Sequence, residues 1–266
     1  MATVWQGSQE PPSHGTLAAV HEWDASTYDR IADPQEAWAR RALARLELHG
    51  DETVLDAGCG SGRVTEHLLA RLPRGRVVAL DRSTAMIAEA RRRLAEAEAS
   101  GRIRFVVADL GEPLPLAEPV DAVFSNATFH WVRDHAALYR NLAAILRSGG
   151  QLVVDCGGAG NIASVEAALR ALDHDWVGPW TFASPEAETD RLREAGFEGI
   201  RAWLEPAPAR FPPGEPFETY LRTIVLRAHL ERLSADERDG LVRAVASRMP
   251  GPVLDYVRLN IVARRR

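Results

Sequence analysis

The sequence contains no lysine, and all 32 residues in its combined lysine and arginine count are arginine. Schiff-base catalysis and a phosphate-loop lysine are therefore excluded. Only two cysteines are present, Cys59 and Cys156, which are too few for a cysteine-based zinc site. No cluster of histidines and carboxylates has metal-ligand spacing either, so the sequence predicts no metal.

The sequence also lacks long hydrophobic runs and an excess of positive charge. No apolar stretch is as long as the about 18 residues that a membrane-spanning helix needs. Residues 1–15 lack the basic start and apolar stretch of a secretory signal, and we expect them to form a disordered leader. The net charge of -5 argues against a nucleic-acid surface. We expect a cytoplasmic monomer or homodimer whose partner is a small molecule, without nucleic-acid or membrane binding.

Short apolar segments alternate with helical patterns from about residue 35 to 205. Because these segments are apolar almost throughout, they suit strands that are covered on both faces, as in a doubly wound α/β sheet. Ser83 is a good N-cap for one helix, and a second is predicted from about 134 to 146, stopping at Gly149 and Gly150. The predicted strands are 53–56, 76–80, 103–107, 120–124 and 151–155.

The pattern changes after Glu205, where five prolines crowd residues 206–216. Two helical patterns follow, at about 216–230 and 234–248, and the alternating run 253–262 is typical of a strand. We therefore divide the chain into an α/β core (16–205), a helical insertion or lid (206–252) and a final strand that returns to the core sheet (253–266).

The segment 54–62 is a strand that runs into a glycine-rich turn, with a helix beginning near Arg63. Gly58 and Gly60 allow a sharp turn and let a ligand lie directly against the backbone. A dinucleotide-binding turn has the spacing G-x-G-x-x-G, but here Arg63 occupies the place of the third glycine. The residues around the turn must therefore identify the ligand.

Acidic residues stand at the ends of three successive predicted strands. Asp56 precedes the turn and suits a cationic ligand better than a pyrophosphate. Asp81 can accept hydrogen bonds from ribose hydroxyls, and Asp109 can accept one from an adenine amino group. S-adenosylmethionine carries a sulfonium, an ammonium, a ribose and an adenine, so it matches all three positions.

On these residues the sequence resembles the class I S-adenosylmethionine-dependent methyltransferases, over about residues 20 to 205. The resemblance implies a Rossmann-like, seven-stranded, mostly parallel sheet with a helical insertion before the last strand. It implies S-adenosylmethionine as the cofactor, with this binding set: Tyr28, Asp56, Gly58, Cys59, Gly60, Asp81, Arg82, Met86, Asp109, Leu110 and Asn126.

Two further segments, 23–28 and 124–134, are similar to the branch containing trans-aconitate methyltransferase and juvenile hormone acid methyltransferase. The resemblance implies that Trp23 and Tyr28 help to close over the cofactor and that His130 and Trp131 face the substrate. Gly158 lies in a glycine-rich segment after the fifth strand, where it would allow close approach of the substrate.

His130 is the candidate catalytic residue, and its neutral ring can act as a base or donate a hydrogen bond; the alternative is that it only packs or orients Trp131. A carboxylate acceptor is ionised at pH 7 and needs no base, whereas a hydroxyl does. Trp131 is either an apolar pocket wall or a core aromatic. Trp176, Trp180 and Phe182 add apolar bulk near the expected pocket mouth.

The predicted function is methyl transfer from S-adenosylmethionine to a small organic molecule, with a carboxylate as the acceptor. The alternative within this fold is O-, N- or C-methylation of a secondary metabolite with His130 as the base. Alternatives of another class are a nucleotide-dependent oxidoreductase and a non-catalytic cofactor-binding protein. If the insertion is a lid, Tyr220 and Arg222 are its candidate contacts.

Overall fold

The computed structural model describes residues 33–172, 176 and 178–266. The predicted leader, Trp23 and Tyr28 lie outside the described residues. Within the described part, no helix has the length and hydrophobicity needed to cross a membrane, and no group of side chains is placed to hold a metal ion.

A seven-stranded sheet with the order β3-β2-β1-β4-β5-β9-β6 forms the centre of the molecule. The first five strands are parallel, and β9 runs antiparallel to both β5 and β6. The prediction of a doubly wound, mostly parallel sheet is confirmed. Its strands are β1 (Thr53–Ala57), β2 (Arg76–Asp81), β3 (Ile103–Val107), β4 (Val120–Asn126), β5 (Leu146–Gly157), β6 (Phe197–Pro206) and β9 (Val257–Arg265).

Helices cover both faces of the central strands, which explains why β1, β2 and β4 are mostly apolar and buried. Val54 and Leu55 illustrate the alternation: Val54 belongs to one buried cluster with Leu68, and Leu55 to another with Leu142. The core helices are α1 (Asp33–Leu43), α2 (Arg63–Ala70), α3 (Thr84–Arg93), α4 (Ala95–Ala99), α5 (His135–Ile145), α6 (Ala163–Arg170) and α7 (Pro185–Glu194).

The predicted cap at Ser83 forms, and the helix predicted from about 134 to 146 is confirmed at 135–145, but its predicted stop at Gly149 and Gly150 is wrong. Ser83 accepts a hydrogen bond from the Met86 amide at 3.2 Å, and Asp134 caps α5 by accepting from the Ala137 amide at 2.9 Å. However, α5 ends at Ile145, several residues before Gly149, because Leu146 already pairs with Val120 as the first residue of β5.

Between β6 and β9 the chain forms further helices that share a third buried cluster with Trp38 and α6. The predicted strand 253–262 is interrupted, since Val253–Leu254 (β8) pairs with Ala209–Arg210 (β7) in a separate two-stranded sheet. At the break, both carboxylate oxygens of Asp255 accept hydrogen bonds from Ser164, at the start of α6 and 91 residues earlier in the chain. The helical elements here are α8 (Glu215–Tyr220), a π-helical turn (Leu221–Val225), α9 (Arg227–Leu230) and α10 (Ala235–Ala246).

Candidate active site

A cavity opens at the carboxyl ends of β1, β2, β4 and β5, beside the point where the strand order reverses. Ligands of open α/β sheets bind at this place. It encloses about 980 Å³ of empty space, part of which is open solvent.

The glycine turn forms one wall of the cavity. The Gly58 and Cys59 amides donate to the Leu80 carbonyl at 2.7 and 2.9 Å, which ties the turn to the end of β2. Gly58 has a φ of +84°, and a Cβ on it would lie 2.1 Å from the Thr128 Oγ1. A Cβ on Gly60 would meet no atom within 4 Å, so the backbone there is open to a ligand.

Asp81 is fixed at the end of β2 by two backbone amides. Its Oδ2 accepts from Gly60 and its Oδ1 from Ser83, each at 2.9 Å. Burial raises the pKa of Asp81, and these amide bonds partly offset that rise. Since each carboxylate oxygen can accept a second hydrogen bond, Asp81 retains the capacity to bind two ribose hydroxyls. The residues present therefore fit the cofactor.

Contrary to the sequence expectation, Asp56 does not face the cavity. Its side chain is 2% exposed and accepts a hydrogen bond from the Thr65 hydroxyl at 2.7 Å, beneath the glycine turn. Burial raises the pKa of Asp56 to about 7, although the bond from Thr65 opposes the rise. Any attraction of Asp56 for a cationic ligand therefore acts through the turn rather than by contact.

The other predicted cofactor residues divide into two groups. Arg82, Met86 and Asn126 line the cavity with Gly58, Gly60 and Asp81. The remaining three do not: Cys59 and Leu110 are buried in the core, and Asp109 is exposed, 3.9 Å from Arg82. Burial of the Cys59 and Leu110 side chains in the core corrects the expectation that they lie against the ligand, and the adenine contact of Asp109 stays a prediction. Packing of Cys59 and Leu110 against the sheet determines where they point.

His130 also lines the cavity, on a short 3₁₀ turn (Phe129–Trp131) after β4. Its Nδ1 accepts a hydrogen bond from the Gly157 amide at 3.2 Å. Burial, together with the positive charge of Arg258, lowers the pKa of His130 well below its ordinary value. The ring is therefore neutral. Because Nδ1 is an acceptor, the ring proton resides on Nε2.

Aromatic side chains surround His130. The Trp131 and Phe182 rings lie 5.4 and 5.8 Å from its ring, and Trp180 stacks on Phe182 at 5.7 Å. The Thr181 amide donates to the His130 carbonyl at 2.8 Å, which attaches this aromatic segment to the turn. Trp131, Trp180 and Phe182 all line the cavity, as does a further apolar set: Trp38, Ile162, Ile224, Val225 and Tyr256.

Gly158 and the suggested lid residues are placed differently from the expectation. The Gly158 amide donates to the Val257 carbonyl, and a Cβ here would collide with Leu204 and Leu259, so this glycine serves packing between strands. Tyr220 is buried and its hydroxyl bonds that of Tyr256. Arg222 forms an ion pair with Asp239 and does not line the cavity.

Sequence reasoning missed Arg258, Thr128 and Asn161, all of which line the cavity. Arg258 is buried on β9 and donates through Nε and Nη2 to Asp155 on β5. The one sign of it in the sequence is an arginine within the alternating run 253–262. Its pairing with Asp155 joins positions 103 residues apart, so spacing alone does not reveal it.

Comparison with known proteins agrees with this geometry. A family model described as a methyltransferase domain matches residues 54–150. The trans-aconitate 2-methyltransferase of Acidovorax ebreus is 30% identical over 239 residues, covering 86% of this chain and 90% of that protein. The trans-aconitate 2-methyltransferase of Escherichia coli is 31% identical over 259 residues, covering 92% and 99%.

Solved structures share the fold at lower identity. Geranyl diphosphate C-methyltransferase from Streptomyces coelicolor, solved with S-adenosyl-L-homocysteine, superposes with a TM-score of 0.55 at 19% identity, covering 94% of this chain and 86% of that one. YcgJ from Bacillus subtilis gives 0.58 at 17% identity, covering 88% and 99%. At these identities the likeness concerns the fold alone.

Proposed function

Because the chain belongs to the class I S-adenosylmethionine-dependent methyltransferases, in the branch that includes trans-aconitate 2-methyltransferase, we propose that it methylates a carboxylate of a small organic acid. S-adenosylmethionine is the methyl donor, and the product of this reaction is a methyl ester. Membership of this family excludes the oxidoreductase alternative. The kind of acceptor must be inferred from the residues that line the cavity.

The protonation state of His130 carries the proposal. A backbone N–H can only donate, so the Gly157 amide occupies the basic lone pair on Nδ1 and leaves Nε2–H as a donor. A neutral donor suits a carboxylate oxygen, which is already ionised at pH 7. A hydroxyl acceptor needs a base, and in this geometry His130 is poorly placed to be one. The carboxylate is therefore favoured over the secondary-metabolite hydroxyl.

The cavity lining favours an acid with an apolar body. Trp180, Phe182 and Val225 present aromatic and aliphatic surface to the cavity that His130 also lines. Among the described lining residues the basic side chains are Arg82, which follows the ribose-binding position Asp81, and Arg258. A tricarboxylate such as trans-aconitate would meet little further positive charge here. We therefore place the acceptor among acids with one carboxylate and an apolar remainder.

The residues of this chain position the reaction rather than supply reactive groups. S-adenosylmethionine, held by Asp81 and the glycine turn, would supply a methyl group on a sulfonium sulfur, and transfer of this methyl to the acceptor would leave S-adenosylhomocysteine as the thioether product. Asp81 and the glycine turn hold the cofactor side, and His130 orients the acceptor through Nε2–H. The aromatic wall of Trp131, Trp180 and Phe182 excludes water, which strengthens these polar contacts.

The proposal is tested with matched acids and alcohols. The protein is incubated with methyl-labelled S-adenosylmethionine and either 4-phenylbutyrate and octanoate or the corresponding alcohols, with trans-aconitate as a further acid. We expect label in a base-labile methyl ester of the apolar acids and none in the alcohols. Ether formation from an alcohol with no ester from any acid would contradict the proposal.

A further inference from the structure

Arg258 is a buried arginine on the acceptor side of the cavity. Its Nε and Nη2 both donate to one oxygen, Asp155 Oδ1, with the Nε contact at 2.7 Å. The guanidinium lies over the Trp38 ring, 4.2 Å from the ring centroid. Asp155 and Trp38 therefore hold the guanidinium in a fixed orientation, through charge and through a cation–π contact.

Only part of the hydrogen-bonding capacity of this guanidinium is used. The group carries five N–H donors, and its bonds to the described residues go through Nε and Nη2 to the same carboxylate oxygen. Nη1 has no partner among the described residues, and Arg258 lines the cavity. A buried guanidinium is costly unless its donors are satisfied, so the edge carrying Nη1 matches an anionic group of a ligand.

The neighbours of Arg258 identify which part of a ligand this edge meets. Arg258 pairs in register with Gly157, whose amide binds His130, so the guanidinium and the imidazole flank one region. The positive charge of Arg258 is also among the causes that lower the pKa of His130. The cofactor positions Gly60 and Asp81 lie just after β1 and at the end of β2, and β4 and β5 separate β1 from β9.

We propose that Arg258 binds the accepting carboxylate together with His130 and thereby selects carboxylic acids over alcohols and amines. This inference rests on the proposed function, since it assigns the group that the acceptor must carry. Arg258 supplies the charge and His130 a neutral hydrogen bond. Asp155 orients the guanidinium and neutralises part of its charge, which leaves the bound carboxylate nucleophilic.

The test is a binding experiment, which does not require turnover. Because Arg258→Gln alone would leave the Asp155 carboxylate buried without its partner, the variant is the double substitution Arg258→Gln/Asp155→Asn. The matched control is Arg264→Gln/Glu47→Gln, which removes an exposed ion pair of 2.6 Å from the same strand. Each protein is saturated with S-adenosylhomocysteine and titrated with 4-phenylbutyrate or 4-phenylbutanol.

We expect the wild-type protein and the control to bind 4-phenylbutyrate more tightly than 4-phenylbutanol. In the double variant, the affinity for the acid should fall by about 10- to 100-fold, while affinities for the alcohol and for S-adenosylhomocysteine stay the same. Arg258→Lys, which keeps the charge but not the planar group, should give an intermediate loss for the acid. This second variant maintains the test if the double variant does not fold.

Several results would overturn the inference. These are unchanged binding of the acid by a folded variant, an equal loss for acid and alcohol, or a wild-type protein that does not prefer the acid. A loss confined to S-adenosylhomocysteine would assign Arg258 to the cofactor carboxylate instead. If acid binding depends on Arg258 but no ester forms, the proposed function alone is refuted. If the ester forms and the KM for the acid is unchanged in the double variant, this inference alone is refuted.

Discussion

Asp81 provides the sharpest test of the cofactor site, because its two oxygens have defined partners. Each oxygen accepts one backbone amide at 2.9 Å, from Gly60 and Ser83. Asparagine has one acceptor oxygen and one NH2 group, so Asp81→Asn must face one of these amides with a donor. The substitution therefore removes the charge from the ribose contacts and leaves one buried amide unpaired.

Asp81→Asn should weaken the binding of S-adenosylhomocysteine and lower the stability of the protein. A hydrogen bond to a charged group contributes about 1.5–3 kcal/mol, so the dissociation constant of S-adenosylhomocysteine should rise by about 10- to 150-fold. The unpaired amide should lower the free energy of unfolding by about 1–3 kcal/mol. Calorimetric titration measures the first quantity, and urea unfolding followed by circular dichroism measures the second.

Asp121→Asn is the matched control. The Asp121 carboxylate also accepts a hydrogen bond from a backbone amide, that of Thr53 at 2.8 Å. This bond lies at the amino-terminal ends of β1 and β4, away from the cavity at their carboxyl ends. Asp121→Asn should lower the free energy of unfolding but leave the affinity for S-adenosylhomocysteine unchanged. If Asp81→Asn binds S-adenosylhomocysteine within about twofold of the wild-type protein, the ribose assignment and the reasoning behind it are refuted.

Three further substitutions test the surrounding structure. Gly58→Ala should abolish measurable binding of S-adenosylhomocysteine, because the added Cβ would lie 2.1 Å from the Thr128 Oγ1 at a φ of +84°; wild-type affinity by calorimetry would show that the turn adapts. The folded pKa of Asp56, about 7, exceeds its ordinary value of 3.8, so the stability that Asp56 contributes to the cofactor-free protein is lost as pH rises from about 4 to 7 and stays lost above that. Asp56→Asn should remove this contribution to the pH dependence and stabilise the protein at pH 8 by up to about 4 kcal/mol in urea unfolding, and a stability difference between the two proteins that does not change with pH would contradict the assignment. Glu188→Gln should cost about 3–5 kcal/mol in the same assay, because fully buried Glu188 pairs with Arg191 and accepts a hydrogen bond from the Tyr139 hydroxyl; a loss below about 1 kcal/mol would mean that the charge of Glu188 is not needed for stability.

Local sequence patterns predicted the part of the site that depends on local structure. The glycine turn and Asp81 follow directly from strand ends, and their backbone hydrogen bonds involve neighbouring segments. Asp56 occupies the same kind of position, yet its side chain points beneath the turn to Thr65. Strand alternation allows either face, and the buried partner that decides between them comes from the following helix.

Long-range pairs account for most of what the sequence did not reveal. Arg258 lies opposite Gly157 only because β9 inserts antiparallel between β5 and β6. The bond from Ser164 to Asp255, at the break before β9, is likewise long-range. Neither contact leaves a pattern in the sequence. The apolar strands can be recognised in the sequence because each is a short run of apolar residues.

The donor role of His130 is the central claim, and the pair His130→Gln and His130→Ala tests it most directly. Glutamine can accept from the Gly157 amide and still donate from its NH2 group, but it cannot act as a base. With an apolar acid that the wild-type protein methylates, kcat/KM for His130→Gln should stay within about tenfold of wild type, and His130→Ala should lose more. The wild-type rate should also be constant from pH 8 to pH 6, because the pKa of His130 lies well below its ordinary value. A glutamine variant as inactive as the alanine variant, with a wild-type rate that falls on acidification, would contradict the account and identify His130 as a base.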